Sequence, residues 1–195
     1  MSAALQAQVH ARVTCVDVSQ KAVEACARRG LEAFRAQIGD EPLPFPDATF
    51  DLVWMTEVIE HLTRPDKAME EVRRVLDPRG HLILSTPNLA CLPNRFLLAV
   101  GVQPLFSEVS EDVVLGRRLS ALGQGGQPVG HLRLYTKRSL EEFLRLVGFE
   151  ALRIKGVPFH QKGMWNRLEG LAGAAPSLAM ILVVLAIKRE TAVNA

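Results

Sequence analysis

Apolar and polar positions along the chain follow two alternating periods. Residues 13–18 (Val-Thr-Cys-Val-Asp-Val) are β-branched and apolar on both faces, the pattern of a strand buried on either side by helices. Ser19 offers an N-cap to a helical stretch running through Arg29, which Gly30 closes. The unit recurs: residues 50–55 read as a buried strand, 65–76 as a helix, and 81–85 as a second strand entered through the turn Asp77-Pro78-Arg79-Gly80. Such alternation predicts an α/β fold with a doubly wound, mostly parallel sheet. Residues 89–130 break the rhythm, setting Gly101, Pro104, Gly116, Gly123, Gly125, Gly126 and Pro128 among short apolar patches. They read as a lid or substrate-side insertion within the domain. A helix over 139–147 capped by Gly148, a strand over 149–157, an irregular segment and an apolar strand over 178–188 follow. The last two strands suit an antiparallel hairpin at a sheet edge. With no internal repeat and no second core, residues 1–195 read as one domain.

Composition narrows the setting. Of 195 residues 48% are hydrophobic and 23% charged, the balance of a globular chain with one sizeable core. Twenty-three Lys and Arg against 21 Asp and Glu leave a net charge of +2, and 6% of residues are aromatic. Neither figure favours a nucleic-acid partner. Cys15, Cys26 and Cys91 form no metal or disulfide spacing, which points to a reduced, cytoplasmic setting. The longest apolar run, 178–187, is too short to span a bilayer.

Chemistry is sought at the carboxyl ends of the strands, where doubly wound sheets bind ligands. Asp17 ends the first strand; a carboxylate there can accept both hydroxyls of a ribose, or simply cap the following helix. Three blocks give it context: residues 39–53 (GDEPLPFPDATFDLV), 57–62 (EVIEHL) and 80–88 (GHLILSTPN). Over roughly residues 12–90, and onward through Gly130-His131-Leu132-Arg133-Leu134-Tyr135-Thr136 to Gly148-Phe149-Glu150, the sequence resembles the class I S-adenosylmethionine (SAM)-dependent methyltransferases. The resemblance implies a Rossmann-like fold, SAM as cofactor and a small-molecule methyl acceptor. It implies that Asp17, with Val18, holds the SAM ribose and that Asp40, with Glu41, faces the adenine. Met55, Thr56 and Glu57 then lie beneath the cofactor. Such proteins open with a strand and a Gly-rich turn around the methionine half of SAM, whereas this chain begins at a partial helix. The first strand is therefore expected to be missing, leaving unpaired backbone groups mid-sheet between the strands at 13–18 and 50–55. The Gly123–Gly126 loop has no strand leading into it and does not replace the turn.

Glu57, Glu60 and His61 stand at i, i+3 and i+4, on one face of a helical turn leaving the strand at 50–55. His61, oriented by Glu60 or Glu57, could remove a proton from an acceptor hydroxyl as the methyl group moves, with His131 facing the same cavity. The plainer alternative is a surface helix start with acids at its positive end. No metal is assigned here. E-x-x-E-H with a distant histidine also resembles the metal-binding quartet of small-RNA 2′-O-methyltransferases, which would make Glu57, Glu60, His61 and His131 ligands of one ion. The expected reaction is methyl transfer from SAM to an oxygen of a small molecule. The alternatives are metal-dependent methylation of an RNA ribose and a catalytically silent methyltransferase-like interaction module. Trp54, Leu82 and Leu84 are expected in the core; His10, His81 and His160 receive no role.

Overall fold

A computed structural model describes residues 11–116, 127–157 and 175–189. Strand β1 (Thr14–Asp17) leads through the cap Ser19 into helix α1 (Gln20–Ala27). Gly30, at φ +75°, turns the chain into β2 (Glu32–Arg35), which pairs in parallel with β1. Strand β3 (Phe50–Thr56) is followed by a 3-10 turn (Ile59–His61) and helix α2 (Pro65–Val75), started by proline at its first position. Then come β4 (Leu76–Pro87), α3 (Leu92–Ala99), α4 (Lys137–Leu146), β5 (Phe149–Val157) and β6 (Ile181–Lys188).

The larger sheet has the order β3-β4-β6-β5, with β3 and β4 parallel and β6 antiparallel to both β4 and β5. The C-terminal hairpin is thus present, and β6 lies inside the sheet with β5 at its edge. The core packs α2 and α4 against this sheet through Met69, Val72, Leu140 and Leu144, which meet Leu82, Leu84, Leu182 and Val184. Among the described residues β1 pairs only with β2, and β3 only with β4, so the two sheets share no backbone ladder. An aromatic relay joins their layers instead. Phe45 packs edge-on against Phe34 of β2, at 5.1 Å between ring centroids, and against Phe50 of β3, at 4.9 Å.

Four expectations need correction. Strand β2 was not anticipated, because Glu-Ala-Phe-Arg carries no strand pattern of its own and is extended through its pairing with β1. The turn at 77–80 is a bulge inside one long strand, since Phe50 faces Leu76 while Leu52 already faces His81. A Cβ at Gly80 would come within 2.9 Å of the Asp77 carbonyl oxygen, which explains the glycine. The expected strand at 178–188 starts at Ile181. Trp54 is not core: it is 42% exposed, as is Leu52 two residues before it, on a face of β3 that nothing described covers. Leu82 and Leu84 are fully buried as expected.

Arg74 of α2 ties the 43–47 segment to the helix. Its guanidinium donates to both Glu71 carboxylate oxygens, to Asp47 and to the carbonyls of Leu43 and Phe45. The Arg74 hydrogen bonds hold the Glu71 carboxyl below its ordinary 4.5. A carboxyl lowered on folding contributes stability above that value and loses it as pH falls through the folded one. Glu71→Gln is therefore expected to flatten the acid side of the stability–pH curve, measured by urea unfolding between neutrality and pH ~3. An unchanged slope would show that Glu71 titrates alike in both states.

Candidate active site

Three strand ends supply the site. Asp17 ends β1 with its side chain exposed, and its Oδ1 accepts the Ser19 N–H at 2.8 Å. The helix itself is capped by Ser19, whose side chain accepts the Ala22 N–H, so Asp17 does not cap it; its exposed carboxylate stands beside Val18, which is 54% exposed. Asp40 and Glu41 lie in a tight turn at Gly39, where φ is +93° and an added Cβ would come 2.8 Å from the Arg64 carbonyl oxygen. Asp40 accepts the Gln37 side-chain amide at 2.5 Å and lies 3.7 Å from Arg64 Nε, while Glu41 accepts the Gln37 backbone N–H at 2.7 Å. Met55 is buried in the core, and Thr56 ends β3 as expected.

Beyond β3 the backbone departs from the expected helical turn. Glu57 takes φ +53°, a left-handed conformation that costs a non-glycine residue of order 1 kcal/mol. Its carboxylate accepts the Ser85 hydroxyl at 2.6 Å. Only Glu60 and His61 stay together on the 3-10 turn, and His131 joins them. The rings of His61 and His131 stand 4.9 Å apart, and one ligand atom from each of Glu60, His61 and His131 lies within 4.8 Å of the other two. The three residues assigned to catalysis thus stand together, whereas the four-residue set of the alternative resemblance loses Glu57, because the left-handed turn there places its carboxylate on Ser85 of β4.

Glu60 is fully buried. Its Oε2 accepts the Thr86 hydroxyl at 3.0 Å, whereas Oε1 has no hydrogen-bond partner among the described residues and lies 4.0 Å from His61 Nε2. Burial pushes the Glu60 carboxyl above the usual carboxylate range, aided by the negative charge of Glu57 and opposed by hydrogen bonds. His131 is held below an ordinary histidine, chiefly by burial and also by repulsion from His61. Both rings are fixed through Nδ1, which lies 2.9 Å from the Gly130 carbonyl oxygen in His61 and 3.0 Å from that of Phe106 in His131. A carbonyl only accepts, so each Nδ1 carries the hydrogen and each neutral ring keeps its lone pair on Nε2.

Sequence reasoning missed the residues that hold His131 in place. Glu108, on the excursion, accepts the backbone N–H groups of Val129, Gly130 and His131 at 2.7, 2.8 and 3.1 Å. Burial raises its carboxyl, but those three donors outweigh it and hold the group below the ordinary value. Asn94, fully buried in α3, closes the same excursion by accepting the Leu105 N–H at 2.6 Å and donating to the carbonyls of Leu89 and Leu105. Nothing local marks either residue, because their partners lie 5 to 23 positions away. Glu108→Ala is expected to cost about 1.5–3 kcal/mol, the range for losing hydrogen bonds to a charged group, and to speed amide exchange at 129–131. Urea unfolding and mass-detected exchange read the two effects. Unaltered exchange there would mean that the segment is held by other contacts. The Gly123–Gly126 loop, His10, His160 and residues 163–165 lie outside the described residues.

Residues 1–84 match the family model described as "Methyltransferase domain". The chain is 28% identical over 172 residues to 27-O-demethylrifamycin SV methyltransferase of Amycolatopsis mediterranei, covering 82% of this chain and 54% of that protein. It is 32% identical over 99 residues to a ubiquinone biosynthesis O-methyltransferase of Xanthomonas oryzae, covering 48% and 41%. The chain thus spans about half or less of the length of these curated relatives. The fold superposes with TM-score 0.60 on a SAM-dependent methyltransferase from Thermotoga maritima, described as a possible histamine N-methyltransferase, at 16% identity over 96% of this chain and 76% of that one. The fold is thus that of the class I SAM-dependent methyltransferases, and residues 1–84 match the model of a methyltransferase domain. SAM is the cofactor of that class, and no helix among the described residues is long and apolar enough to cross a membrane.

Proposed function

We propose that this chain transfers a methyl group from SAM to an oxygen atom of a small molecule. The observation that carries the reading is the convergence of Glu60, His61 and His131 just beyond β3, where a carboxylate oxygen with no partner among the described residues meets two histidines whose Nδ1 atoms are already committed. A hydroxyl entering this site meets acceptors, and deprotonation turns it into the nucleophile that methylation requires. His61, on the half-exposed side of the cluster, takes the hydroxyl proton at Nε2, and buried Glu60 stabilises the imidazolium that results. His131 stands beside His61, the two rings 4.9 Å apart. Two of the relatives are named for O-methylation, which agrees with an oxygen acceptor.

The residues present fit SAM at its ribose end. Asp17 is a charged, exposed carboxylate at the carboxyl end of a parallel strand, next to exposed apolar Val18. Asp17 would accept the ribose hydroxyls, and Asp40 and Glu41, held in their turn by Gln37, would face the adenine. When bound, SAM supplies a methyl group made electrophilic by its sulfonium. Asp17→Ala is expected to weaken SAM binding by about 1.5–3 kcal/mol, one to two powers of ten in Kd, as charge-assisted hydrogen bonds are lost. Calorimetric titration checks this, and equal affinities would remove the ribose role.

The reaction itself is tested with radiolabelled SAM and a panel of phenols, aliphatic alcohols, amines and short RNAs. Label appearing as an alkali-stable ether on a hydroxylated small molecule supports the proposal. Label on an amine or RNA, or on no acceptor at all while SAM binds, sinks it.

A further inference from the structure

A groove at the amino end of β4 gathers charges that methyl transfer does not use. We infer that it binds a small phosphorylated metabolite, a phosphate monoester that also carries hydroxyl groups. Its volume is about 470 Å³, and it is lined by Pro78 and Arg79 of the β4 bulge, Glu150 of β5, and Ile187, Lys188 and Arg189 at and just beyond the end of β6. That size falls within the range of small-molecule sites. Antiparallel pairing assembles the lining: Ile187 stands opposite His81 on one side and Glu150 on the other. Arg79 precedes by six residues Ser85, which meets Glu57 at the far end of β4. At ~3.3 Å per residue the two ends lie ~20 Å apart, so the groove is separate from the site of methyl transfer.

The cations here fall into two groups. Lys188 donates to the Leu76 carbonyl at 3.1 Å, and Arg73 of α2, packed on Gly148, directs Nη2 to the Arg189 carbonyl at 3.5 Å. Arg79 and Arg189 are exposed, and neither guanidinium has an ion pair or hydrogen bond among the described residues. Arg74, Arg133 and Arg138, by contrast, commit theirs to carboxylates or carbonyls. Cations gathered at one end of a sheet repel one another, and a bound anion removes that cost. Two free guanidinium forks match phosphate oxygens, which they hold bidentately.

The rest of the lining narrows the ligand. Three cations stand against one carboxylate, so the field favours an anion. That carboxylate, Glu150, is exposed and also lacks a partner among the described residues; it accepts hydrogen bonds and offers none. A bare phosphate would leave it unanswered, whereas hydroxyl groups beside the phosphate would donate to it. Asp77, the other acid of the bulge, is taken by the Arg79 backbone N–H at 2.9 Å. Pro78 and Ile187 supply apolar surface for the carbon skeleton.

The test titrates the full chain calorimetrically, at low ionic strength, with ribose 5-phosphate, ribose and inorganic phosphate. Ribose 5-phosphate is expected to bind saturably, inorganic phosphate about tenfold more weakly, and ribose not at all. Arg79→Gln and Arg189→Gln are each expected to weaken ribose 5-phosphate about tenfold, as charge-assisted hydrogen bonds disappear. Glu150→Ala should narrow the gap between ribose 5-phosphate and inorganic phosphate. Arg145→Gln, an exposed cation of α4 outside the groove, should bind like the parent. No saturable binding of ribose 5-phosphate, or equal binding by the parent and the Arg79→Gln/Arg189→Gln double variant, would overturn the inference. So would displacement of the sugar phosphate by SAM, which would place it at the cofactor site. A short RNA that binds more tightly than ribose 5-phosphate and is lost in the double variant would reassign the groove to nucleic acid.

Discussion

His61→Ala should lower the rate of methyl transfer about 10²- to 10⁴-fold while changing SAM affinity little. The side chain sits with Glu60 and His131 rather than with Asp17 at the end of β1. The role available to its Nε2, taking the proton of the acceptor hydroxyl, acts on the reacting oxygen, so its loss falls on turnover. The Nδ1 contact to Gly130 is lost too, but it lies on the solvent side and contributes mainly orientation. Single-turnover rates and calorimetric SAM affinities, measured on parent and variant, separate the two effects. A rate within a few fold of the parent would leave the positioning of the two substrates as the main source of catalysis.

Leu84→Ala should have the largest effect on stability, about 3–5 kcal/mol. Leu84 is fully buried in β4, between Met55 of β3 and Val184 of β6, and its removal leaves a cavity that flanking strands cannot collapse to fill. That loss is a large fraction of the 5–15 kcal/mol that typically holds a domain together. Trp54→Ala removes a larger side chain from the adjacent strand yet should cost less than about 1.5 kcal/mol, because Trp54 is 42% exposed. Urea unfolding ranks the pair. Equal costs would mean that the Trp54 face is covered in solution.

The contrast between those two residues shows where sequence reading reached and where it stopped. Alternation and caps carried β1, α1, β3, β5 and the hairpin partner β6, because each is encoded by its own side chains and by Ser19, Gly30 or Gly148. A run such as Phe-Asp-Leu-Val-Trp-Met reads as buried on both faces, but whether a face is covered depends on other elements, so the exposure of Trp54 was invisible. The site divided in the same way. Spacing brought Glu60 and His61 together and the block at 130–136 pointed to His131. The left-handed turn that removes Glu57 is a backbone choice with no glycine to announce it. Glu108 and the Phe106 carbonyl act across more than twenty residues, beyond the reach of any periodicity.

The two sheets without a shared ladder have a mechanical consequence. Asp17 belongs to the small β1–β2 unit, whereas His61 belongs to the larger sheet, and the Phe34–Phe45–Phe50 relay that links their layers resists shear less than hydrogen-bonded strands do. Regions with few shared contacts open separately and at lower free energy than the core. A molecule that touches Asp17 at one end and the His61 recess at the other would act as a noncovalent crosslink, restricting motion between halves that the backbone leaves loosely coupled. Part of its binding energy would then go into ordering the protein.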